Sequence, residues 1–226
     1  MTPPHTPAGP ARHAVIPASR SDIDTLSQVI AEAFLDLAPC RWLISDRAAR
    51  REIFPRYFRM YVVHAMADGL ACTTPDRTAA ALWIPGTGPA GPPGGYDEEL
   101  AEVTGRWADR FRVFDAELDT HHLAGVAHSH LAILAVRPDR QGGGTGTALL
   151  DARHAVLDRE GTVAFLEASD DRTRRLYLCH GYADYGSPIE LPDGPAMYPM
   201  TRQPGTGTHR QAADSDRVSR EKRAHG

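Results

Sequence analysis

Lysine is almost absent from this chain. The only one among the 226 residues is Lys222, in a polar C-terminal stretch, so the remainder has no amine to form a Schiff base or to hold a nucleotide phosphate. That excludes whole classes of enzyme. Cysteine is scarce too: Cys40, Cys72 and Cys179 are far apart and odd in number, which argues against a disulfide framework and a structural zinc site. No run approaches the roughly 20 apolar residues that cross a bilayer. The opening MTPPHTPAGPARH lacks the apolar segment of a secretory leader, so a cytoplasmic protein with no membrane partner is expected. Charge of one sign is not in excess. A net charge of -4 and a pI near 6.2 give no general attraction to nucleic acid.

What is present suits one substantial core, with 42% hydrophobic residues and both charge signs spread along the chain. Residues 1–11 are rich in proline and small side chains, and residues 204–226 have Val218 as their one large aliphatic side chain and no aromatic. Neither end buries enough to offset its ordering entropy, so disordered ends are expected around a single domain over 12–203. Within it, HAVIPA reads as a short strand, and Ser21 with Asp22 and Asp24 as the start of a helix carrying Ile23, Leu26, Ile30 and Phe34. A second helix is expected from about Arg47 to Ala67. Asp68-Gly69 then turns into a hairpin of LACTT and TAAALWI. PGTGPAGPPGG over 85–95 is a loop by composition, and a helical pattern follows from about Glu98 to Leu118. Next come a strand over 131–136, a glycine loop, a helix over 145–160, the strand TVAFLEA, a short helix around DRTRRLYLCHG, and two strands about the turn Pro192-Asp193-Gly194-Pro195. The order is mixed α/β with a β-α-β unit at its centre, and no internal repeat occurs.

The glycine loop carries the chemistry. A strand that runs through QGGGTGT into a helix places unpaired backbone N–H groups at a helix N-terminus, where the dipole adds positive character. Glycine lets a phosphate approach the backbone and permits positive φ. The helix after it places Ala148, Leu149, Ala152 and Val156 on one apolar face, with Asp151, Arg153, Asp158 and Arg159 toward water. A Walker loop is excluded because no lysine follows the glycines. A dinucleotide fingerprint also fails at its third glycine: from Gly142 that position is Thr147, and from Gly144 it is Leu149. Glu167, at the end of the next strand, imitates the ribose-binding acid of such folds, which keeps a nucleotide-dependent oxidoreductase as a distant alternative.

Gln141-x-x-Gly144-x-Gly146 after Val136-x-Pro138 resembles the acetyl-CoA motif of the GCN5-related N-acetyltransferases. Downstream, the strand AFLEAS, the helix end Tyr177-x-x-x-Gly181-Tyr182 and the closing hairpin PDGPAMYPMTR resemble the same family, so that the likeness covers roughly 12–203. AFLEAS, PDGPAMYPMTR and, more loosely, AALWIPG look most like the actinobacterial branch that includes puromycin N-acetyltransferase. The resemblance implies a single-domain α/β (α+β) fold with a mixed, mostly antiparallel sheet flanked by helices. Acetyl-CoA is the implied cofactor, with direct transfer to a small-molecule amine such as an antibiotic or other secondary metabolite, in a monomer or homodimer. Pyrophosphate then falls to the amides of Gln141, Gly142, Gly143, Gly144, Thr145, Gly146 and Thr147, and the pantetheine arm to the strand edge of Leu134, Ala135 and Val136. A backbone N–H near Leu134 would face the developing oxyanion. Tyr177 stands where the family often has its general acid, and Thr173 where many relatives have an asparagine that touches the cofactor.

Each assignment has a structural competitor. Tyr177 is otherwise a packed aromatic on an amphipathic helix. Glu167 either relays a proton from the substrate amine or pairs with a nearby arginine. Trp42, Tyr57 and Tyr61 line an acceptor pocket or fill the core. His121, His122, His128 and His130 form a cluster without a cysteine or carboxylate pattern, so no metal is expected there. An acyl-CoA-binding sensor without turnover is the non-enzymatic alternative.

Overall fold

The computed structural model describes residues 14–87 and 95–205. The N-terminal stretch 1–11, residues 206–226 of the expected tail and the middle of the 85–95 loop lie outside the described residues. Strand β1 (Ile16–Pro17) leads through Ser19, whose N–H and hydroxyl donate to the Asp22 carboxylate, into helix α1 (Ile23–Phe34). A short helix α2 (Ala38–Leu43) precedes α3 (Arg47–Asp68), capped by Asp46, which accepts from the Ala48 N–H at 2.9 Å. The expected hairpin forms as β2 (Leu70–Thr73) and β3 (Ala79–Gly86).

The helix expected over 98–118 is two helices, α4 (Tyr96–Thr104) and α5 (Ala108–His121). Gly105, at φ +54, breaks the turn between them. The apolar pattern reads as continuous because Leu100 and Val103 before the break and Ala108 and Phe111 after it are all buried. Strand β4 (His128–Val136) starts earlier than expected, and α6 (Thr145–Glu160) falls where the pattern placed it. The buried face of α6 is rotated from the expected one. Ala152 is exposed, while Leu149, Leu150, His154 and Leu157 are buried, because the buried His154 accepts or donates a 3.0 Å bond with the Tyr182 hydroxyl and so behaves as a core residue. Then come β5 (Val163–Ala168), α7 (Asp171–Cys179), β6 (Ala183–Asp184), β7 (Ile189–Glu190) and β8 (Ala196–Arg202).

Eight strands form one sheet in the order β1-β2-β3-β4-β5-β8-β6, with β7 against β8. Every pairing is antiparallel except β4 with β5. Alternation along β3 supplies two cores. Ala80 and Leu82 face a layer of α1, α3, α4 and α5 with Ile30, Phe54, Tyr57 and Phe111; Ala79, Ala81 and Trp83 face α6 and α7 with Leu149, Leu157 and Tyr177. No helix among the described residues is long and apolar enough to cross a membrane.

One irregularity positions the site. β4 pairs with β5 only from His128↔Val163 to His130↔Phe165. Beyond that point β4 stays with β3 as far as Val136, and β5 stays with β8 as far as Ala168. The two strands part. The parting begins beside a bulge, since Trp83 faces Leu131 and Leu82 faces Ile133, leaving Ala132 without a partner on β3.

Gly69 ends α3 so close to β3 that an added Cβ would lie 2.1 Å from the Trp83 carbonyl oxygen. Gly69→Ala must push apart two backbones that carry the sheet, so a loss of about 3 kcal/mol or more is expected. Urea denaturation of both proteins checks this, and a loss below about 1 kcal/mol would mean that the hairpin gives way freely.

Candidate active site

The wedge between β4 and β5 opens into a cavity of about 970 Å³. It runs from the glycine loop, past the unpaired edge Leu131–Val136, to a chamber walled by α1, α3 and α5. At the loop end Gly142 and Gly144 take φ +78 and +87, and Gly144 caps α6 with no side chain of its own. The Ala148 N–H, bonded to the Gly144 carbonyl, is the first intrahelical donor, so the N–H groups of Thr145, Gly146 and Thr147 are left at the helix start. No acidic residue lies in that first turn, and Arg140, just before the loop, also lines the cavity. The Gln141 amide donates to the Val136 carbonyl at 3.1 Å and ties the loop to the strand. An added Cβ at Gly146 would rest 3.8 Å from Val136 and one at Gly143 would be 3.6 Å from the Arg140 carbonyl, so the helix start lies close against the strand end.

The other expected residues sit along the same wedge, with one exception of use. Leu134, Ala135 and Val136 lie on the unpaired edge, and Tyr177 is buried but reaches the cavity from α7. Burial, with the Asp170 charge adding to it, pushes the Tyr177 phenol above its ordinary value, so the proton stays on Oη. The Thr173 hydroxyl is engaged in capping α7: it accepts from the Asp170 N–H at 3.1 Å and the Asp170 carboxylate accepts from the Thr173 N–H at 2.7 Å. It lines the cavity with its hydroxyl already bonded. Thr147 Oγ1 lies 3.3 Å from His180 Nε2, which leaves its N–H as its contribution to the loop.

Glu167 pairs with histidine rather than with arginine. His130 Nε2–H donates to Oε2 at 2.8 Å, and His122 Nδ1 lies 3.7 Å from Oε1, which has no hydrogen-bond partner. Burial is the largest single influence and would raise this carboxyl; the charge and hydrogen bond of His130 and the pull of His122 together outweigh it, and Glu167 is held at about 2. The network assigns the tautomers behind it. His128 Nδ1 lies 2.8 Å from the Val126 carbonyl and must donate, and burial lowers that ring's pKa, so its neutral Nε2 accepts from His122 Nε2–H at 3.1 Å. His122 Nδ1 is therefore the ring atom turned to Glu167. His121 bonds the Glu117 carbonyl and stays outside the cluster.

The far chamber is aromatic and acidic. Tyr57 and Tyr61 line it with hydroxyls 3.0 Å apart, and the Tyr96 hydroxyl donates to Asp115 at 2.9 Å. Burial raises all three phenols. Trp42 is no part of this wall: its Nε1–H donates to the Pro192 carbonyl at 2.8 Å and its ring packs by Ile189, Leu191 and Met197. The sequence reading missed Tyr96, Asp115 and Asp119. Their one signal was the spacing of Asp115, Asp119 and His122, which shares a helical face.

These features are those of an acetyltransferase fold. No protein-family model matches the sequence. Among solved structures, the chain superposes on the histone acetyltransferase HPA2 and related acetyltransferase of Corynebacterium glutamicum with a TM-score of 0.59 at 24% identity, covering 84% of this chain and 96% of that one. Arylalkylamine N-acetyltransferase 2 of Aedes aegypti gives 0.57 at 12% identity, with 84% and 98% covered. A GCN5-related N-acetyltransferase of Rhodopseudomonas palustris gives 0.52 at 14%, with 85% and 96% covered. The chain has the fold of the GCN5-related N-acetyltransferases, as its motifs implied.

Burial pushes Asp115 up to about 6, against the opposing bond from Tyr96 and with the charge of Asp119 adding to it. Its folded value exceeds the ordinary 3.8, so the folded chain holds this proton more tightly and the carboxyl weakens the fold as pH rises from about 4 to about 6. Asp115→Asn is expected to stabilise the protein at pH 8 by on the order of 1 kcal/mol after solvent screening, and to be neutral near pH 4. Calorimetric melting at both pH values tests this; an equal shift at both would remove the charge as its cause.

Proposed function

We propose that the chain is an acetyl-CoA-dependent N-acetyltransferase that acts on a small amine by direct transfer in a ternary complex, with residues 12–203 as its transferase domain. The observation that carries this reading is the parting of β4 and β5, which leaves a free strand edge between a phosphate-sized helix start and a buried carboxylate–imidazole cluster. Those elements fit coenzyme A. The amides from Gln141 to Thr147 suit a pyrophosphate, and the edge Leu134–Val136 offers backbone groups to a linear chain with amides of its own. The likeness of AFLEAS and PDGPAMYPMTR to the puromycin N-acetyltransferase branch supports a small metabolite as acceptor.

Acetyl-CoA supplies an acetyl group activated as a thioester. The protein's part is to seat the amine and move protons. An alkylamine is mostly protonated at neutral pH, so it enters as a cation. Glu167 Oε1, buried and without a hydrogen bond, is the docking point for that cation. A carboxyl held at about 2 accepts a proton poorly near neutrality and keeps His130 as its hydrogen-bond donor, so the proton-accepting atom beside the docked amine is Nδ1 of the neutral His122 ring. As the N–C bond forms and the C–S bond breaks, the ammonium gives up two protons. Tyr177 Oη returns one to sulfur and the other passes to solvent. A backbone N–H of β4 near Leu134, by the bulge, faces the reacting carbonyl.

Two measurements test the reading. Gly144 takes a φ at which valine is strained, but Gly143 does not, so Gly143→Val adds bulk at the loop while the backbone stays put. CoA affinity is expected to fall at least about tenfold by calorimetry; unchanged affinity would sink the site. Tyr177→Phe removes one hydroxyl and little volume, and kcat is expected to fall on the order of a hundredfold with little change in KM for acetyl-CoA. Retention of more than about half of kcat, with chemistry rate-limiting, returns Tyr177 to a packing role.

A further inference from the structure

We infer that the acceptor is a dication, with one ammonium delivered to Glu167 while Asp115 and Asp119 hold a second positive charge. This rests on the acetyl-transfer reading and names the substrate class of its acceptor site. Asp115, Asp119 and His122 recur at i, i+4 and i+7 along α5, and all three line the cavity. Two acids beside this face are neutralised, whereas Glu99, which also lines the cavity, adds a further negative charge. Arg112 bonds both Asp97 and Asp109, and Arg110 lies over the Trp42 ring at 5.1 Å. Asp115 has only the Tyr96 hydroxyl, and among the described residues no arginine or lysine forms a salt bridge with Asp115 or Asp119.

An acidic face alone would prove little, and a second observation stands apart from it. The Glu167 side chain is 7% exposed, lines the same cavity from β5, and has an Oε1 that makes no hydrogen bond. A monocation at that oxygen leaves the half-buried Asp115 carboxylate uncompensated, with Asp119 beside it at the solvent-exposed end. Of the arginines that line the cavity, Arg140 adjoins the glycine loop, Arg172 lies in the first turn of α7, and Arg59 is bound to Asp24 at 3.2 Å. Tyr57, Tyr61 and Phe114 lie in the walls between, surfaces that suit an alkyl or ring spacer and a nearby ammonium. Along the helix axis Asp119 and Asp115 stand about 4.5 Å and about 10.5 Å from the level of His122, which sets the spacing of the two nitrogens.

The test uses the full chain with acetyl-CoA and a thiol-release assay, comparing α,ω-diaminoalkanes from diaminobutane to diaminoheptane with n-alkylamines of the same length. The expected result is a diamine preference in kcat/KM of at least about tenfold, with an optimum at one chain length. Asp115→Asn and, as an exposed alternative if that variant folds poorly, Asp119→Asn are expected to reduce this preference ratio several-fold. CoA affinity measured by calorimetry serves as the check that each variant is intact. Equal use of monoamines and diamines overturns the dication and leaves acetyl transfer standing. A preference that survives both substitutions overturns the assignment to α5. CoA binding without thiol release from any amine overturns both readings.

Discussion

Everything functional in this fold follows from two parallel strands that pair at one end and separate at the other. A sheet gains by continuing its ladder, and β4 and β5 stop after His130 and Phe165. The loss is tolerable because each strand keeps its other neighbour beyond the parting, β3 as far as Val136 on one side and β8 as far as Ala168 on the other. The unpaired residue Ala132 bends β4 where the separation starts. Residues 131–136 are thereby left with an open edge that points into the molecule, protected from edge-to-edge aggregation and free to pair with a ligand.

Around that opening the electrostatics divide by location. The α6 N-terminus, with its unbonded amides and Arg140 beside the loop, makes one end of the cavity attractive to anions. Asp115, Asp119 and Glu167 make the other attractive to cations. The near absence of lysine sharpens this division. A cation that neutralises the acidic end must be a histidine, an arginine or part of the ligand; the histidines there face Glu167, and the arginines of α5 are committed elsewhere. Glu167 is the hinge of the arrangement, buried yet ionised because two imidazoles flank it.

The legible parts were those whose cause is local. The glycine loop and the start and end of α6 could be read because a helix N-terminus needs no distant residue, only glycines at positive φ and a periodic pattern after them. Gly161 at φ +67 closes the same helix for an equally local reason. Readings failed where one pattern served two geometries. The break at Gly105 was hidden because both helices bury their apolar side chains on a common core, and Ala152 was assigned inward because a small apolar residue fits either side of a helix. Trp42, for which pocket and core were equally open, takes the core place and donates to the Pro192 carbonyl, a contact that spans 150 positions and leaves no trace in local spacing.

The sequence alone determined the class of chemistry on offer: backbone amides for an anion, no lysine for covalent or phosphate work, and one tyrosine and one glutamate at motif positions. Which groups stand beside that glutamate was a tertiary decision. His122 comes from the end of a helix, His130 from β4 and Glu167 from β5, and they meet because the parallel register sets His130 against Phe165 two residues before Glu167. Asp115 and Asp119 join them because α5 packs across the mouth of the wedge. Register and helix packing are set by the burial of whole apolar faces, which fixes where polar side chains end up without any mark of it in their own neighbours along the chain.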